Sequence, residues 1–210
     1  MRFLPEYEIE AAAQDVLASY QKKHGLITER VPIDDIVEQH LGIHLESFDD
    51  THLPDGFRNL VLGYIDLRNQ SIGIHDSLFP EISGNEGRYN FTLAHEVGHY
   101  VMHQDEILAE EGQHGCFEQE NTPRDLSPME WQADCFAGHL LMPEIMVRRY
   151  WQKRTKSENG PTQEQIARCF NAKTREKCSP DVLVWLYIRR IADEMGSVIN
   201  PIKAYGVDYR

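Results

Sequence analysis

The run His95-Glu96-Val97-Gly98-His99 sets two imidazoles four residues apart with a carboxylate beside the first. On a helix, positions four apart share a face, so both rings can point at one ion while Glu96 lies alongside. The flanking residues agree with a helix. At about 100° per residue, Leu93, Ala94, Val97, Tyr100 and Val101 cover one side, and Thr92, His95, Glu96, His99 and His103 cover the other. A solvated helix face carries Lys, Arg, Gln and Glu, so a face made largely of histidine reads poorly as surface decoration. With ten histidines in the chain, such a string arises in roughly a few per cent of shuffled sequences, and it needs a further ligand to be decisive.

A second segment supplies that ligand. From Pro128 to Leu141 the apolar positions Met129, Ala133, Phe136, Ala137, Leu140 and Leu141 recur at helical spacing, and Glu130 falls inside their arc. A carboxylate among apolar groups is costly unless it is paired or bound to a metal. Two histidines, one carboxylate and an open fourth position make a catalytic zinc arrangement, in contrast to a closed structural one. Asp134, one turn beyond Glu130, is placed to accept the other ring N–H of a ligating histidine. A competing reading exists for Glu130, because Ser127-Pro128-Met129-Glu130 also fits a helix capping box. His103 stands about 12 Å along the helix axis from His95 and cannot share its ion. It reads either as a donor behind the ligands or as the polar edge of the helix. His114 and His139 read as ordinary histidines.

The rest of the chain organises around these two helices. Pro5 to about Lys23 carries an apolar stripe (Ile9, Ala12, Ala13, Val16, Leu17, Tyr20) that stops at Gly25. A short helix follows Pro32, with Ile33, Ile36, Val37 and Leu41 inward and Gly42 as its stop. Ile43 to Phe48 alternates as a half-buried strand does, and Leu60 to Leu67 with Ser71 to His75 predicts a hairpin turning at Arg68-Asn69-Gln70. Gln104 to about Leu126 is acidic and aperiodic, which predicts a long loop or a lid over the cleft. Further helices are predicted over Glu144 to Lys153, Thr162 to Phe170 and Asp181 to Met195.

Composition narrows the function classes. A net charge of −13 over 210 residues argues against binding nucleic acid by neutralising phosphates. No apolar run approaches a membrane span, and the N-terminus turns acidic before a signal sequence forms. Cys116, Cys135, Cys169 and Cys178 lack CxxC spacing and read as reduced thiols. A cytoplasmic protein is the expectation.

Together these residues resemble the ImmA/IrrE family of metallopeptidases. The likeness is carried by Arg88-Tyr89-Asn90-Phe91-Thr92-Leu93-Ala94-His95-Glu96-Val97-Gly98-His99, by Glu130 with Ala133, Asp134, Phe136 and Ala137, and by Leu140-Leu141-Met142-Pro143. Val31-Pro32-Ile33, Leu41-Gly42-Ile43 and Ile72-Gly73-Ile74 add to it. The resemblance covers roughly the first 150 residues. It implies an α+β, gluzincin-like core, in which a small antiparallel sheet packs on the metal-binding helices. A peptidase domain over residues 1–150 and a helical extension over 151–210 are therefore expected.

The family likeness also implies cleavage of a DNA-binding repressor, here a separate helix-turn-helix polypeptide. Zn2+ would be held by His95, His99 and Glu130, with Mn2+ or another divalent ion as alternatives, and Glu96 would be the general base. Arg88, Tyr100 and His103 are candidates for the second oxyanion donor, and an extended substrate would add to the edge of the Ile72-to-His75 strand. Two other readings share the sequence: a toxin acting on another cellular protein, and a module that binds a repressor without cutting it. Thr162 to Phe170 looks like the first helix of a helix-turn-helix, but the next predicted helix begins too far on for that motif. The extension reads as structural or partner-docking.

Overall fold

The computed structural model describes residues 3–28, 30–52, 61–83, 86–110 and 128–146, together with 149 and 152. The helices predicted over 162–170 and 181–195, and with them most of the extension, lie outside these residues.

Helix α1, Glu6–His24, buries Ile9, Ala13, Val16, Leu17 and Tyr20, the stripe expected from its periodicity. Its first turn carries Glu6 and Glu8 and its last turn Lys22, Lys23 and His24, which complements the helix dipole at both ends. Helix α2, Ile33–Asp35, continues into a wider π turn, Ile36–His40, closed by Leu41 N–H donating to the Ile36 carbonyl at 2.9 Å. The widening puts Ile33, Ile36 and Val37 into the core.

Two tyrosines tie α2 to its neighbours. Tyr20 donates to Asp35, and Tyr89 donates to Asp34 Oδ1 at 2.6 Å. The bond to Asp35, with burial and the carboxylate charge, pushes the Tyr20 phenol from 10.0 up to about 12. Between those values the unfolded chain has lost the phenolic proton while the folded chain keeps it. Folding stability therefore falls as pH rises through that window. Denaturant titrations on either side of pH ~10 check this, and Tyr20→Phe is expected to flatten that part of the curve. An unchanged slope in the variant contradicts the assignment.

Three strands form the sheet: β1 His44–Phe48, β2 Gly63–Asp66 and β3 Ser71–His75, in the order β1-β3-β2. β2 and β3 are the predicted hairpin, with Gly63 opposite Ile74 and Ile65 opposite Ile72. The sheet is nevertheless mixed and not antiparallel as expected, because β1 runs parallel to β3, with His44 opposite Ser71 and Phe48 opposite His75. Parallel neighbours need a long connection, and here β2 itself lies within the stretch joining β1 to β3. Alternation identified β1 as a strand but carried no information about its partner. β3 is thus the central strand, and the expectation of a free edge along Ile72 to His75 is wrong.

The edge on the hairpin side belongs to β2, which among the described residues pairs only with β3. His75 N–H donates to the Leu62 carbonyl at 2.9 Å. By the alternation of an antiparallel ladder, Tyr64 and Asp66 also bond towards β3, leaving Gly63 and Ile65 to turn their backbone N–H and C=O outward.

Helix α4, Glu86–Met102, packs on β2 and β3 and, elsewhere on its surface, on α6, Pro128–Leu141. α6 also packs on α1. The core runs through all of these, with Ile9, Ile33, Ile72, Leu93, Phe136 and Leu140 fully enclosed. A four-residue helix α3, Pro80–Ser83, leads towards α4. The acidic stretch predicted as a loop from Gln104 begins instead as helix α5, Gln104–Glu110. Its one apolar anchor, Ile107, is 2% exposed, and Asp105 and Glu106 sit in the first turn where the dipole favours them. A single inward residue in seven is too weak a periodic signal to reveal a helix. Residues 111–127, the remainder of that stretch, lie outside the described residues. No helix among the described residues is long and apolar enough to cross a membrane.

Candidate metal centre

α4 is buried on both sides, with its apolar side in the core and its polar side against β2 and α6. Thr92, His95, Glu96, His99 and His103 are each 6% exposed or less. The two helices approach closely where Gly98 meets Ala133. A Cβ on Gly98 would lie 3.2 Å from the Ala133 Cα and 3.2 Å from the Phe136 ring. That approach lets a carboxylate on the first turn of α6 reach two imidazoles on α4.

His95, His99 and Glu130 each direct one ligand atom to a common point. His95 Nε2 and His99 Nε2 are 2.9 Å apart. Glu130 Oε2 lies 3.2 Å from the first and Glu130 Oε1 lies 3.4 Å from the second. Ligands about 2.0–2.1 Å from a tetrahedral ion stand about 3.3 Å from one another; the two ring nitrogens stand closer than that and Glu130 offers one oxygen to each ring, so the cluster has the size to hold one small ion. Glu130 is less enclosed than its place in the apolar arc implied, since its side chain keeps 30% of its exposure. It is the most exposed member of the cluster.

The electrostatics fit ligation. Burial would raise the Glu130 carboxyl, but hydrogen bonds from His95 and His99 outweigh it and hold the group well below the carboxylate range. Burial pushes His99 below the imidazole range against the opposing pull of Glu130. Burial, with His99 adjacent, takes His103 down to about 4. A neutral ring is the form that can bind a metal.

Behind the candidate ligands, Asp134 Oδ1 lies 2.9 Å from His95 Nδ1. His103 Nδ1 lies 3.1 Å from His99 Nδ1. His103 is therefore turned towards the back of a candidate ligand. Tyr100 packs against the apolar core, and Arg88 is exposed near the start of α4. His139 faces Glu6 at 3.7 Å across α6 and α1, away from this cluster. Cys135 is a half-buried thiol on α6; His114 and the other three cysteines lie outside the described residues.

Gly63 is the site residue that sequence reading missed. A Cβ there would stand 2.8 Å from Glu96 Oε1 and 2.9 Å from Thr92 Cγ2, so β2 lies directly on the Glu96 carboxylate. A glycine inside a strand marks a close approach, and that signal was present in the hairpin sequence. Gly63→Ala is expected to destabilise the fold by about 1–3 kcal/mol through overpacking and to displace Glu96 while leaving the metal ligands intact. Thermal unfolding with metal analysis checks this; wild-type stability and a full rate of catalysis would contradict it.

No curated protein matches the chain. Among solved structures, a Mycobacterium tuberculosis transcriptional regulator is similar at 18% identity and a TM-score of 0.40, over 70% of this chain and 39% of that one. The chain therefore spans well under two thirds of that protein's length. The IrrE N-terminal-like domain, Peptidase_M78, matches residues 61–176, a stretch running from the hairpin through α4 and α6. On a match covering more than half of its length, the chain belongs to the ImmA/IrrE family of metallopeptidases.

Proposed function

We propose that the protein is a zinc-dependent endopeptidase that cuts a protein substrate, a basic DNA-binding repressor of the helix-turn-helix kind. The observation that carries this reading is the convergence of His95, His99 and Glu130 within the span of one small ion, a donor set that suits a catalytic zinc site. Zinc bound there would polarise the scissile carbonyl and make water acidic enough to attack near neutral pH.

The protein's own residues do the rest. Glu96, 2% exposed and crossed closely by β2 at Gly63, takes the proton of the attacking water and returns it to the leaving amine. Asp134 orients the His95 ring. Of the three candidate oxyanion donors, His103 is engaged with His99 and Tyr100 packs in the core, while Arg88 is exposed near the start of α4. An extended substrate would pair with the outward N–H and C=O groups of Gly63 and Ile65 on the β2 edge, next to Glu96. The net charge of −13 favours a basic partner.

The test is incubation of the zinc-loaded full chain with a purified helix-turn-helix repressor encoded beside it, followed by mass mapping. One discrete cut, lost on chelation, is the expected result. Binding without any cut would replace this reading with that of a non-cleaving module, and neither binding nor cutting would remove the repressor as substrate.

A further inference from the structure

α6 turns a third polar side chain inward besides Glu130 and Asp134. Gln132 is 0% exposed, on a helix whose other buried residues, Met129, Ala133, Phe136, Ala137, Leu140 and Leu141, are all apolar. An amide so deeply buried is retained at a cost unless a partner uses it. Its amide lies against the His103 ring. Yet neither of its polar atoms, nor His103 Nε2, closes a hydrogen bond of good geometry. Two neighbouring buried side chains, one of them directly behind a candidate ligand, thus carry donors and acceptors with no partner of their own.

We propose that Gln132, acting through His103, holds the His99 ring in the tautomer that leaves Nε2 free for the metal. The proposal rests on the metal reading above. His99 directs Nε2 to the candidate ion and Nδ1 to His103 Nδ1, 3.1 Å away. Two ring nitrogens facing each other share one hydrogen. If His99 ligates through Nε2, its hydrogen sits on Nδ1 and is donated, so His103 Nδ1 is the acceptor. His103 then carries its own hydrogen on Nε2 and requires an acceptor there, which the Gln132 carbonyl oxygen supplies. The reverse assignment, with His103 donating from Nδ1, leaves His99 protonated on Nε2 and unable to ligate. Gln132 and His103 are positioning residues in this scheme. They do for His99, through neutral groups, what the Asp134 carboxylate does for His95.

The test measures zinc affinity of the full chain by competition with a chelator, for the wild type, Gln132→Leu and Gln132→Glu. Leucine fills the space without an acceptor, whereas glutamate keeps one. Gln132→Leu is expected to bind zinc about 10–100-fold more weakly, with Gln132→Glu within a few-fold of wild type. Equal loss in both variants means that Gln132 only packs, and no loss in Gln132→Leu means that His99 needs no such support; either result overturns the proposal. Failure of the wild type to bind zinc would instead overturn the metal reading itself. Should Gln132→Leu not fold, nitrogen-15 NMR of the zinc-loaded wild type decides. Hydrogens on His99 Nδ1 and His103 Nε2 support the relay, and a hydrogen on His103 Nδ1 refutes it.

Discussion

Glu96→Gln is expected to retain its metal and to cut its substrate at least roughly a hundredfold more slowly, the usual scale for loss of a general base. The substitution preserves shape where shape is constrained, because β2 crosses so close that a Cβ at position 63 would stand 2.8 Å from Glu96 Oε1. It leaves His95, His99 and Glu130 untouched and removes only the capacity to accept a proton. Cleavage rate and metal content must be measured on the same preparation. A variant that keeps its metal and cuts within tenfold of wild type would show that another group activates the water.

Glu130→Ala is expected to weaken metal binding by more than the roughly 10–100-fold that follows loss of an outer partner, because it removes a ligand outright. Glu130 lies in the first turn of α6, where a carboxylate also supports the helix dipole, so the competing capping role makes a different forecast. Loss of a cap costs about 1 kcal/mol of stability and leaves metal binding unchanged. Chelator competition combined with thermal unfolding separates the two, and full metal affinity in a slightly destabilised variant would sink the ligand assignment.

Much of the site was legible because helices state their geometry in sequence. The four-residue spacing of His95 and His99, and of Glu130 and Asp134, fixes which side chains share a face before any tertiary contact forms. The stripes of α1 and α6 were readable for the same reason. The sheet was only half legible. Alternation and a turn between Leu67 and Ser71 specify the β2–β3 hairpin, which is local. The parallel seat of β1 against β3 depends on a connection whose path has no local signature. Gly63 illustrates a different loss, since its role is defined by Glu96, more than thirty residues away. Gln132 reads in sequence as one polar residue on a helix, and only the packing of α6 against α4 turns it towards His103.

The central claim is that one divalent ion sits between α4 and α6 on two imidazoles and a carboxylate. Zinc K-edge X-ray absorption on the zinc-loaded full chain, with elemental analysis of the same sample, tests it most directly. The predicted result is one zinc per chain with nitrogen and oxygen neighbours at about 2.0–2.1 Å, two of them imidazoles. A shell containing sulfur at about 2.3 Å, or a chain that holds no zinc at all, would contradict the account.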